Sequence, residues 1–220
     1  MKISGRAFDA VLSDLDGVIR FYDMAELEQS ERAAGLAVGS TAEIAFAPET
    51  DLPLMRGEIT KDQWTEAIAH GLADRVPHER GRELATTLAE AKFRADEVVV
   101  GMLRQARAAG LPVLLVTNAT PWLADDLALL GLTGPTGLVD DVISSADLGI
   151  VKPDRRIYEV AAERAGVAPA RCLFVDDRQE NVDAAAALGM TGLLYRDHAD
   201  LRAVLEPALR TGARARARGD

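Results

Sequence analysis

The chain of 220 residues holds a single cysteine, Cys172, so no disulfide can form within it. That thiol lies in an apolar run, which marks it as a small core residue rather than a reactive one. Positive charge is also in short supply: 35 Asp and Glu stand against 25 Lys and Arg, for a formal net charge of −10. The basic face of a nucleic-acid binder is therefore not expected, and any anionic ligand must be captured by local cations against the overall field. No stretch approaches the roughly 20 apolar residues of a membrane span. Met1-Lys2-Ile3-Ser4-Gly5-Arg6 lacks the apolar core of a secretory signal, so a cytoplasmic location is expected. Histidine is scarce, and His70, His78 and His198 show no ligand spacing along the sequence; they read as surface or packing residues. There is no internal repeat. Against these absences, 48% hydrophobic and 27% charged residues describe an ordinary globular protein. Its length suffices for one core and an insertion.

The apolar run Val11-Leu12-Ser13 reads as a buried strand, and it ends in Asp14-Leu15-Asp16-Gly17-Val18. From about Arg20 to Arg94 the best periodic pieces are helical: Glu26 to Leu36, Thr60 to Leu72 with Thr60 as N-cap, and Glu79 to Phe93. Pro48, Pro53 and Gly57 read as loop, and no strand is expected in this insertion. From Asp96 onwards helices alternate with near-continuous apolar strands at 112–116, 142–144, 171–175 and 190–195, several helices closing on Gly. This rhythm predicts an α/β fold, a doubly wound parallel sheet. The expected organisation is a core of residues 1–19 and 95–210, a helical insertion over 20–94, and a disordered Arg/Ala/Gly tail from 211 to 220.

Three strands end in polar residues: Asp14 and Asp16, then Thr117 and Asn118, then Asp176 and Asp177, while Lys152 precedes Pro153 in a loop. In a parallel sheet these ends share one edge, outside which ligands bind. Taken alone, Asp14-Leu15-Asp16 is ambiguous between metal site, capping turn and catalytic dyad. The whole set supports phosphoryl transfer through a covalent aspartyl-phosphate. Asp14 would attack phosphorus, and Asp16 would protonate the leaving alcohol and then deprotonate water. A carboxylate approaching a phosphate needs positive charge nearby. Mg²⁺ fits, held by Asp14, Asp177 and the Asp16 carbonyl with Asp176 ordering its waters. Lys152 adds a compact cation, and Thr117 a hydroxyl donor to the phosphoryl oxygens.

Asp14-Leu15-Asp16-Gly17-Val18, Thr117-Asn118, Lys152-Pro153 and Phe174-Val175-Asp176-Asp177-Arg178-Gln179-Glu180-Asn181-Val182 resemble, in order and spacing, the four motifs of the haloacid dehalogenase-like hydrolase superfamily. The resemblance covers the chain up to its tail. It implies a Rossmann-like core, a helical C1 cap inserted after the first strand, phosphate contacts from Thr117, Asn118 and Lys152, and Mg²⁺ as cofactor. The runs Gly149 to Tyr158 and Asp176 to Gly189 look like the subgroup of sugar-phosphate phosphatases and the epoxide hydrolase phosphatase domain. A small phosphorylated metabolite is the expected substrate. Many members carry a further Asp in the last motif, where this chain has Asn181 after an adjacent Asp pair. Arg20 and Phe21 have no assigned role. A phosphomutase of the same chemistry stays open. A 2-haloacid dehalogenase is disfavoured by Asp16, and a phospho-Asp receiver domain by the order of the motifs. Sequence alone leaves the oligomeric state open.

Overall fold

The computed structural model describes residues 6–134 and 137–216, with side chains described as far as residue 210. Five strands, β1 (Ala10–Ser13), β4 (Val113–Thr117), β5 (Asp141–Ser144), β6 (Cys172–Asp176) and β7 (Thr191–Leu194), form one parallel sheet in the order β5-β4-β1-β6-β7. β1 lies at its centre, paired on one side with β4 and on the other with β6. Its four residues are all buried, as expected of a strand covered on both faces. Side-chain alternation divides the core in two. Val11, Val113, Leu115, Leu173 and Val175 pack towards α6 (Glu97–Ala108), α7 (Leu123–Leu129) and α11 (His198–Arg216). Leu12, Leu114, Val116, Cys172 and Phe174 pack towards α9 (Arg155–Arg164) and α10 (Gln179–Ala187). The doubly wound α/β sheet expected from the sequence is present. Among the described residues no helix is long and apolar enough to cross a membrane.

Between β1 and α6 the chain leaves the sheet and returns. It holds five helices: α1 (Ala25–Ala33), α2 (Ser40–Ala45), α3 (Pro48–Met55), α4 (Lys61–Gly71) and α5 (His78–Ala89). They enclose a separate apolar cluster of Leu27, Leu54, Trp64, Ile68, Leu72, Leu84 and Leu88. Thr60 caps α4 as expected, in a reciprocal capping box with Gln63. Two expectations need correction. The segment around Pro48 and Pro53 is helix, not loop: Pro48 opens α3, where its missing N–H costs no hydrogen bond. The insertion also contains strands. β2 (Arg20–Tyr22) pairs antiparallel with β3 (Phe93–Ala95), so a short ribbon carries both crossings between sheet and insertion. Three residues are too few for a visible alternation. A short helix missed by the sequence reading, α8 (Ser145–Leu148), follows β5.

In place of the disorder expected from Thr211, the backbone of α11 continues to Arg216. Residues 217–220 of the expected tail lie outside the described residues.

Candidate active site

The tight turn after β1 starts the site. Asp14 ends the strand direction with its N–H donating to the Val175 carbonyl at 2.8 Å, and its Oδ1 accepts from the Leu15 N–H at 2.7 Å. Gly17 holds a φ of +76°, and a Cβ there would collide with the Asp177 carboxylate. Only glycine lets the chain turn and lets Asp177 lie this close.

Lys152 is the centre of the site. Its Nζ lies 2.8 Å from Asp14 Oδ1 and 2.7 Å from Asp176 Oδ2, with all three side chains buried. The Asp176 carboxylate also accepts from Asn181 Nδ2 at 3.0 and 3.1 Å and from the Arg178 N–H at 2.9 Å. Asn181 is therefore a neutral donor that anchors Asp176. Burial pushes the Asp14 carboxyl up to about 7; Lys152 opposes this and Asp176 reinforces it. Burial and then Asp176 also raise the carboxyl of Asp177.

Asp14, Asp176 and Asp177 each offer an oxygen, and these oxygens lie within 4.8 Å of one another. An all-carboxylate donor set of this size, with Asp177 reaching out over Gly17, fits a hard divalent cation such as Mg²⁺.

Thr117 is fully buried at the end of β4, and its hydroxyl makes one long contact, 3.4 Å to the Asn118 carbonyl. The Asn118 side chain is committed to the backbone of Lys152: Nδ2 donates to the Lys152 carbonyl at 3.0 Å and Oδ1 accepts from the Lys152 N–H at 2.7 Å. It holds the lysine in place, beside the cis Lys152–Pro153 bond.

Asp16 does not join the lysine cluster in this arrangement. Its two oxygens accept from Arg20 Nε at 2.6 Å and Nη2 at 2.8 Å, while Arg20 Nη1 donates to Asp126 Oδ2 at 2.7 Å. The guanidinium stands 5.0 Å from the ring centre of Tyr22 and 5.4 Å from that of Phe93. Burial works against its charge, but the hydrogen bond and charge of Asp16, with Tyr22 and Asp126 behind it, together raise its pKa. The sequence reading left Arg20 without a role and did not single out Asp126. The signal for Arg20 was its place four residues after Asp16 across a glycine turn. Asp126, 106 residues from Arg20, had none.

The insertion meets the core on this same edge. Ser145 Oγ, after β5, donates to the Met55 carbonyl at 2.6 Å. Lys61 Nζ lies 5.5 Å from the ring centre of Trp122, after β4. Arg178, after β6, opposes the burial that raises the Asp51 carboxyl.

A parallel sheet with its acids, lysine and hydroxyl gathered on the carboxyl edge defines a doubly wound α/β protein with a ligand site at that edge. Comparison with known proteins makes this specific. Residues 8–189 match the family model described as haloacid dehalogenase-like hydrolase. The chain is 29% identical over 193 residues to a sesquiterpene phosphatase of Aspergillus oryzae, covering 86% of this chain and 91% of that one. It is 31% identical over 206 residues to a phosphoglycolate phosphatase of Xylella fastidiosa, covering 90% and 87%. Among solved structures, a Bacteroides thetaiotaomicron enzyme of the family, in complex with magnesium and inorganic phosphate, superposes with a TM-score of 0.62 at 19% identity, over 84% of this chain and 92% of that one. The chain belongs to the haloacid dehalogenase-like hydrolase family, and its relatives make it a phosphatase.

Proposed function

We propose that this phosphatase hydrolyses a small phosphate monoester with Mg²⁺ and forms its covalent intermediate on Asp14. The observation that carries the reading is Lys152 Nζ between Asp14 and Asp176, with Asp177 in reach of the same point. In the first step an Asp14 oxygen attacks phosphorus, the ester P–O bond breaks, and the leaving oxygen takes a proton from Asp16. In the second, water attacks the phosphorus of the aspartyl-phosphate and gives its proton to Asp16. Asp14 and inorganic phosphate are released. Lys152 and the Thr117 hydroxyl face the phosphoryl oxygens, and Asn118 and Asn181 hold Lys152 and Asp176 for them. Asp14, Asp177 and the Asp16 carbonyl would hold Mg²⁺, with Asp176 behind them; bound there, it neutralises phosphate charge.

Each Asp16 oxygen accepts one bond from Arg20, which fixes the orientation of the carboxylate and leaves each oxygen a second lone pair for the leaving group. Arg20 holds Asp16 through this paired bond and is thus a positioning residue for the acid/base. Arg20 belongs to the ribbon at the root of the insertion, so a shift of the insertion acts directly on that bond. In this reading residues 20–94 are a cap, and the cap selects the substrate. Two relatives named for such different esters as a sesquiterpene phosphate and phosphoglycolate agree with specificity lying outside the shared core.

The test is a panel of aryl, sugar, isoprenoid and glycolyl phosphates, assayed with Mg²⁺ and after chelation. Asp14→Asn or chelation is expected to abolish phosphate release. Undiminished turnover in Asp14→Asn would overturn the mechanism, and undiminished turnover after chelation would overturn the metal.

A further inference from the structure

A second group of metal-ligating side chains lies on the insertion. Glu66 and His70 stand four residues apart on α4 and so share a face, and His78 is the first residue of α5. The two helices pack closely because Gly81 has no side chain; a Cβ there would stand 3.1 Å from the Ala69 carbonyl oxygen. That packing brings His78 beside the other two. Nε2 of His70 lies 3.3 Å from Glu66 Oε1, and Nε2 of His78 lies 2.9 Å from the same oxygen. The imidazole centres are 5.1 Å apart, tilted by 57°. All three ligand atoms fall within 4.8 Å of one another. The sequence reading found no ligand spacing among the histidines, because this convergence depends on helix packing.

We infer that Glu66, His70 and His78 form a site for a borderline divalent transition metal ion, Zn²⁺ in the first instance. Ligand bonds of about 2.1 Å at tetrahedral angles separate ligand atoms by about 3.4 Å; His70 already stands 3.3 Å from Glu66, and His78, hydrogen-bonded to it at 2.9 Å, would draw back by about 0.5 Å. Two imidazole nitrogens and one carboxylate oxygen suit zinc and not Mg²⁺, which takes oxygen. Three protein ligands leave the fourth position to water. Arg82 Nη1 stands 3.8 Å from Glu66 Oε2, the carboxylate oxygen that the histidines do not share. The site is remote from the sheet edge: His70 lies nine residues along α4 from Lys61, the residue over Trp122, or about 13 Å at 1.5 Å per residue. Bound metal would pin the α4–α5 hairpin at its outer end. Cys172 is buried and offers no competing thiolate.

The experiment uses the untagged full chain, stripped of metal and held in millimolar Mg²⁺ so that the carboxylate cluster is filled. Titration with Zn²⁺ by calorimetry is expected to show one saturable equivalent of micromolar or tighter affinity and a raised melting temperature. His70→Ala and His78→Ala, both at exposed positions, are expected to weaken binding at least about tenfold with the Mg²⁺-supported phosphatase activity and circular dichroism unchanged. Glu66→Gln repeats the test without changing shape. Asp14→Asn is expected to bind zinc as the wild type does. Absence of saturable binding, wild-type affinity in both histidine variants, or loss of binding in Asp14→Asn would each overturn the site.

Discussion

At the carboxyl edge of the sheet two carboxylates grip one buried lysine and a third lies beside them; on the outer turns of α4 and α5 two imidazoles gather around one half-buried carboxylate. The first set is all oxygen, built on strand ends that the sheet fixes, and each of its buried members has a named donor. The second is mostly nitrogen, built on two helices that touch through Gly81, and open to solvent. The difference separates what each region contributes. A strand end delivers a side chain with little freedom, which suits chemistry at a phosphorus atom. A helix pair with its own apolar cluster can change its surface without disturbing that edge. Arg20 is where the two regions meet, bonded to Asp16 and Asp126 and packed on the ribbon rings.

That division can be broken most sharply at Arg20. Arg20→Met is expected to lower kcat/KM about 100-fold for an alkyl phosphate, whose leaving group needs a proton, and to leave kcat/KM for p-nitrophenyl phosphate nearly unchanged. An equal loss on both substrates would show that Arg20 only supports the fold. Asn118→Ala is expected to cost about tenfold in kcat/KM on both substrates, because two hydrogen bonds worth roughly 1 kcal/mol each no longer fix the Lys152 backbone. A change confined to KM would place Asn118 on the substrate instead.

A smaller effect concerns pH. The Asp14 carboxyl sits at about 7 in the folded, metal-free chain against an ordinary value of 3.8. Between those values the folded state holds a proton that the unfolded state has lost, so this group's contribution to stability declines as pH rises through the window. Melting of chelated protein should show wild type losing ground to Asp14→Asn from pH 4 to pH 8. A pH-independent difference would mean that Asp14 titrates normally. Smallest of all, Thr60→Ala removes the capping box of α4 and should cost about 1 kcal/mol. This would lower the melting temperature by about 2–4 °C and leave kcat on aryl phosphate intact.

The sheet and the identity of the edge residues were legible because buried parallel strands are continuous apolar runs and their polar ends stand out against them. Asp14, Thr117, Asp176 and Asp177 could be named from that contrast, and Lys152 from its place before Pro153 in the loop after the third strand. What each side chain does was less legible. Asn118 reads as part of a motif, and nothing in the sequence shows that its side chain bonds the Lys152 backbone 34 residues away. Asp16 reads as a free partner of Asp14, yet it pairs with Arg20 and through it with Asp126. The insertion was legible in its three amphipathic helices and illegible at α3, where two prolines imitate a loop, and at the ribbon, whose strands are shorter than any periodic pattern. The clustering of His70 and His78 rests on tertiary packing, which no local spacing encodes.

The ribbon has one more consequence. Arg20 and Ala95 are directly opposite partners, and antiparallel partners lie only about 5 Å apart. The whole insertion thus leaves and re-enters the sheet domain through a single narrow gate. A chain segment entering and leaving at one point can be lengthened, shortened or exchanged while the sheet keeps its register, since loop closure depends only weakly on the length spanned. The fold is therefore modular in heredity as well as in shape: mutation can remodel the insertion while the sheet edge is inherited whole.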